Sequence, residues 1–113
     1  MRVLLIILLS LPLPAQAFER ITSRDTFLSL VEGRRLVGDG VSLQVQGNGQ
    51  ITGSGLGLRV SGNWSWENSL FCRTLETAVR DFPRDCQTVA RRDGVLRFQA
   101  NGGDGDIADL QIR

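Results

Sequence analysis

Trp64, Trp66, Phe71, Cys72 and Cys86 are the residues whose types and spacing could do chemistry in this chain. Side chains alternate across an extended strand, so Trp64-Ser65-Trp66 sends both indoles to one face. Such a pair can line a ligand cleft. It can equally fill a core, since each indole buries roughly 150–250 Å² and a small domain needs that apolar surface. Cys72 and Cys86 are the two cysteines of the chain. Bridging them closes a loop of about 15 residues, worth about 3 kcal/mol by loss of chain entropy in the unfolded state. Arg73, Asp104 and Asp106 are candidates for a binding rim on the loops that this clasp holds.

Composition limits the chemistry further. The sequence contains neither His nor Tyr, and each of its thirteen basic residues is arginine. A histidine-based triad, a Schiff-base lysine, a phosphate-loop lysine and a histidine-ligated metal are therefore excluded. Glu67 and Glu76 lie near the tryptophans, but no second group completes an acid–base pair, and no catalytic residue is assigned. Asp104, Asp106 and Asp109 could gather around a hard cation. A solvated turn explains them as well, and no metal site is assigned. The run from Gly103 to Ala108 fits a loose dinucleotide-binding pattern, yet too little chain follows for the helix and crossover it requires, so no cofactor is implied. Asn63-Trp64-Ser65 matches a glycosylation sequon, a weak pattern by itself. The doublets Arg34-Arg35 and Arg91-Arg92 are balanced by neighbouring acids. With Arg2 removed, the basic and acidic residues are equal in number at twelve, so no overall field draws the chain to nucleic acid or an acidic membrane.

The elements that must position these residues are short. Residues 1–17 read as a signal peptide. Arg2 is followed by an apolar run from Val3 to Leu9, Pro12 and Pro14 break it, and Ala15-Gln16-Ala17 predicts cleavage after Ala17. The run is shorter than the roughly 20 apolar residues that span a bilayer, so no membrane span is expected after cleavage. Residues 18–113 are then one disulfide-stapled domain. Thr22 or Ser23 caps a helix over residues 24–32, with Asp25 in its first turn, Phe27, Leu28, Leu30 and Val31 at helical spacing, and Gly33 at its end. Val41, Leu43 and Val45 alternate with polar residues up to the turn Gly47-Asn48-Gly49. Ile51 and Thr52 begin the return strand. Leu56, Leu58, Val60, Gly62, Trp64 and Trp66 share one phase, which predicts a strand, or two bent at Gly62. A turn at Glu67-Asn68-Ser69 leads to a strand over residues 70–73. Residues 74–82 read as a short helix ended by Pro83. Residues 86–91 and 95–100 flank the Asp93-Gly94 turn, and residues 107–113 form a last strand. The fold class is mainly β: an antiparallel meander barrel or sandwich of about seven or eight strands, with one short N-terminal helix and one disulfide.

The leader, the segment Asp25-Thr26-Phe27-Leu28-Ser29-Leu30-Val31-Glu32-Gly33-Arg34, Gly62-Asn63-Trp64-Ser65-Trp66, Phe71-Cys72-Arg73, Cys86-Gln87 and Leu96-Arg97-Phe98 together resemble a family of small exported alphaproteobacterial proteins. The resemblance covers most of residues 18–113. It implies export, a paired Cys72 and Cys86, and an aromatic core. Members often carry the label dihydrodipicolinate reductase, which implies a nicotinamide cofactor and a histidine- and lysine-containing site; this chain has neither residue. The expected architecture is also similar to that of the small periplasmic inhibitors of secreted metalloproteases, eight-stranded barrels with one disulfide. The expected role is that of an exported, periplasmic or secreted β domain, non-enzymatic, binding a periplasmic protein or a small ligand. The alternatives are the labelled reductase, an inhibitor-like protein and a structural envelope protein.

Overall fold

A computed structural model describes residues 3–10 and 17–113. Residues 3–10 have no regular secondary structure, and their apolar side chains are exposed. Most of the expected leader boundary, from Leu11 to Gln16, lies outside the described residues.

The chain folds as β1 (Glu19–Ile21), α1 (Arg24–Val31), β2 (Leu36–Gly38), β3 (Val41–Val45), β4 (Gln50–Gly55), β5 (Leu58–Glu67), β6 (Leu70–Glu76), β7 (Asp81–Arg92), β8 (Val95–Gln99) and β9 (Ile107–Ile112). From β2 to β9 every strand pairs antiparallel with the next in the chain, and β9 returns to β2. The result is a closed eight-stranded meander barrel, which leaves its ring without a free edge. β1 stands outside the ring and pairs with β7 opposite Val89, Ala90 and Arg91.

α1 forms because its sequence supplies both a start and a buried stripe. The Ser23 hydroxyl accepts the Thr26 N–H at 3.1 Å, satisfying one free donor of the first turn. Phe27 and Val31, four residues apart, are fully buried. The helix closes one end of the barrel beside the β3–β4 turn, where the Arg24 guanidinium donates to the Gly47 carbonyl at 2.9 Å. The β5–β6 and β7–β8 turns belong to that same end, because successive turns of a meander alternate between its two ends. The β2–β3, β4–β5, β6–β7 and β8–β9 connections belong to the other.

Two local expectations are corrected. Residues 74–82 are not a helix: β6 runs on to Glu76, a turn follows, and β7 begins at Asp81. Pro83 sits inside β7 at the register shift of the β6–β7 ladder, where a strand tolerates a residue without an N–H donor. Leu56 does not begin a strand. It forms a tight turn with Gly57, both at positive φ (50° and 82°), and β5 runs unbroken through Gly62. Gly62 is required there for another reason: a Cβ would lie 2.0 Å from the Thr74 carbonyl oxygen of β6.

Candidate functional site at the open end of the barrel

Inward-facing rows build the site. Trp66 pairs with Phe71, and Phe71 with Gln87. One step along, Trp64 pairs with Arg73, and Arg73 with Asp85. The next row is Gly62, Leu75 and Phe82. Directly opposed residues share a face, so these rows stack from the helix-plugged end towards the open one.

The deepest rows are filled. Phe27 from α1 lies 5.6 Å from the Trp64 ring, 5.1 Å from Trp66, 5.2 Å from Phe71 and 6.3 Å from Phe98, centroid to centroid. Both indole N–H groups are satisfied: Trp64 Nε1 donates to the Gln46 carbonyl at 2.7 Å and Trp66 Nε1 to the Thr22 carbonyl at 3.1 Å. The tryptophans thus tie the helix and the β3–β4 turn to the barrel wall, as core rather than as a cleft.

Above Phe71 the lumen is not filled. A cavity of about 510 Å³ occupies the other half of the barrel. Its wall is largely aliphatic, with Val41, Leu43, Ile51, Leu58, Val60 and Leu75 around the lumen and Phe71 and Phe98 towards the floor. Leu56 and Val79, on the β4–β5 and β6–β7 turns, border it while remaining 86% and 76% exposed. These two tips mark the mouth, together with Asp39, Thr77 and Arg80. The Arg80 guanidinium lies over the Phe82 ring, 4.6 Å from its centroid.

Arg73 is the charged group set deepest in this wall, on the same strand face as Phe71 and Leu75. Its Nη1 donates to the Pro83 carbonyl at 3.0 Å. Among the described residues, Nε and Nη2 make no hydrogen bond. Burial pulls the guanidinium below its ordinary pKa, and the Asp85 carboxylate opposes that shift. Asp85 is itself held in place, accepting the Gln87 side-chain amide at 2.9 Å and the Asn101 backbone N–H at 3.0 Å.

The remaining sequence candidates lie elsewhere. Cys72 and Cys86 are directly paired in the β6–β7 ladder and form a disulfide, on the strand face opposite Phe71 and Arg73. Asp104 and Asp106 are exposed on the β8–β9 loop and do not border the cavity. Asp109 is engaged with Arg97 at 2.9 and 3.0 Å, and that contact holds its carboxyl below its ordinary pKa. Among the described residues, no group of three or more His, Cys, Asp or Glu side chains is placed to hold a metal ion. Glu67 pairs with Arg84 and accepts from the Ser65 hydroxyl on the outer surface; the Ser65 bond is the larger cause of its lowered pKa.

Sequence reasoning overlooked the cavity. Its signal is present in the strand phases, since Phe71, Arg73 and Leu75 alternate with Cys72 and Thr74. No protein-family model, curated protein or solved structure matches this chain.

Proposed function

We propose that the protein is an exported, non-enzymatic binding protein whose barrel holds a small apolar ligand. The observation that carries this reading is the 510 Å³ apolar lumen, bordered at its mouth by two exposed aliphatic turn tips. Ligand cavities typically measure about 300–1,000 Å³, with mostly apolar walls and a few placed polar groups. A domain this small gains stability from every filled core position, so a large unfilled half of its barrel is a cost to the free protein. An apolar ligand offsets that cost. Export agrees with the apolar leader and with a disulfide, which persists in oxidising compartments.

The resemblance to proteins labelled as reductases favours no catalytic role for these residues, because the charged groups around the lumen are arginines and an aspartate. A second reading, inhibition of a secreted protease, is favoured by the closed eight-stranded barrel with one disulfide. It predicts inhibition of a secreted metalloprotease irrespective of what fills the lumen.

The test begins with the full chain expressed in a bacterium and recovered from a periplasmic extract, with Phe18 as the expected N-terminal residue. Titration with the neutral fluorophore N-phenylnaphthylamine should give saturable, roughly one-to-one binding with a blue-shifted emission. A folded, oxidised protein that shows no saturable binding of this probe would sink the proposal.

A further inference from the structure

We infer that the ligand is a carboxylate-headed aliphatic chain, a free fatty acid, bound head-inward with its carboxylate on Arg73 and its chain directed towards Leu56 and Val79. This inference rests on the reading above, in which the barrel is a calyx for an apolar ligand, and deepens it.

Three observations converge on this ligand. The first is where the charge sits. Arg73 lies one row deeper than Leu75 and Phe82 and one row short of Phe71, which places it about 6–7 Å inside the Leu75 row along the strand. A cation set below an aliphatic wall is costly to desolvate unless it has a purpose or a partner. The second is its incomplete satisfaction. The Pro83 carbonyl takes one donor on Nη1, while Nε and Nη2 make no hydrogen bond among the described residues. That edge of the guanidinium has the parallel two-donor geometry that matches a carboxylate. The third is the remaining polarity. Besides Arg73, the cavity is bordered by Arg80, Asp39, Gln87 and Thr77; Asp39 stands at the mouth, and Asp85, which faces Arg73 from β7, does not border the lumen. A cationic head group would be repelled by these arginines, and a neutral one would offer the half-buried Arg73 no charged acceptor for Nε and Nη2.

Asp85 sharpens the class of anion. Its carboxylate faces Arg73 from β7 and is fixed by Gln87 and Asn101. A singly charged head group can share the guanidinium with it, whereas a doubly charged phosphate would meet stronger repulsion. The aliphatic wall from Val41 to Val60 and the exposed Leu56 and Val79 tips then take the chain.

The test displaces N-phenylnaphthylamine with laurate, dodecanol and dodecyltrimethylammonium, which share a chain and differ in head charge. Laurate should bind at least about tenfold more tightly than dodecanol, a difference of ~1.4 kcal/mol. The dodecyltrimethylammonium ion should bind most weakly. Arg73→Gln should bring laurate down to the level of dodecanol while dodecanol and the probe bind as before. Asp85→Asn removes the competing charge by a change on a different strand, so its readout stands even where Arg73→Gln fails to fold. It should tighten laurate several-fold and leave dodecanol unchanged. Equal affinity for laurate and dodecanol in the unaltered protein, with the probe still bound, would overturn the carboxylate anchor and leave the calyx reading standing. Absence of probe binding would remove both. A laurate preference that survives Arg73→Gln and does not respond to Asp85→Asn would also overturn the assignment to Arg73.

Discussion

At Phe27 four aromatic rings meet one helical side chain, and the plugged end of the barrel depends on that contact. The residue is fully buried, stacked near-parallel on Trp66 and edge-on to Trp64 and Phe98. Burying a phenyl ring stabilises chiefly by removing apolar surface from water, and each well-oriented aromatic pair adds about 0.5–1.5 kcal/mol beyond the area. The void left by truncation cannot be refilled by Trp64 or Trp66, because both indoles are held by hydrogen bonds to Gln46 and Thr22. Phe27→Ala is therefore expected to cost about 3–5 kcal/mol in urea unfolding. In a domain of this size that lowers Tm by more than about 10 °C. A loss below about 1 kcal/mol would show that α1 is an ornament on the barrel rather than its plug. At the same scale, Arg73 illustrates how a residue's meaning depends on strand phase. Its type is unremarkable among thirteen basic residues, and its position on the inward face of β6 is what makes it a candidate ligand contact.

The β6–β7 hairpin is the element in which clasp and site share one ladder. Cys72 and Cys86 cross-link its outer face, while Phe71, Arg73, Gln87 and Asp85 present its inner one. The bridge joins residues already opposed in the ladder, so its removal should leave the fold intact and lower its stability. The double substitution Cys72→Ser with Cys86→Ser, or reduction, is expected to keep the far-ultraviolet circular dichroism and cost about 2–4 kcal/mol in urea unfolding. Equal stability of oxidised and reduced protein would count against the clasp. This hairpin also shows which parts of the fold are legible in the sequence. The helix over residues 24–32, the Gly47-Asn48-Gly49, Asn68-Ser69 and Asp93-Gly94 turns and the last strand follow from local signals, namely a hydroxyl cap, residues that tolerate positive φ and period-two alternation. Residues 74–82 mislead because Thr74, Leu75, Glu76 and Ala78 read equally well as helix, and Pro83 reads as its stop. What decides their conformation is pairing with β7 across the hairpin, including the register shift that accommodates Pro83. The cavity is harder still to read. Trp64 and Phe71 are legible as inward-facing residues, but the empty half of the lumen depends on eight strands closing at once. The Arg73–Asp85 juxtaposition likewise requires the β6–β7 register to be known.

For the whole molecule, the closure of the ring is uneven, and that sets where it can open. β5 and β6 are joined by seven register pairs, β4 and β5 by six. β2 and β9 share two pairs, Leu36 with Ile112 and Val37 with Gln111. Arg35 and Arg113 exchange backbone hydrogen bonds of 2.7 and 2.8 Å just beyond them. The two strands are pressed together at Gly38, where a Cβ would lie 2.7 Å from the Asp109 carbonyl oxygen. A short ladder at the C-terminus is the part of a closed sheet expected to open at the lowest free energy, since local openings span a wide range below global unfolding. The lumen lies directly behind this seam, because Leu36 and Leu110 border the cavity. Amide hydrogen exchange should accordingly be fastest, among the barrel strands, at Arg35, Arg113 and the β2 amides, and slowest in β5 and β6. Saturation with the neutral apolar probe should slow the seam amides more than those of β5 and β6, since a filled lumen stabilises closed rings over open ones. Equal protection around the ring would show that the barrel opens only by global unfolding, and ligand entry would then be confined to the mouth between Leu56 and Val79.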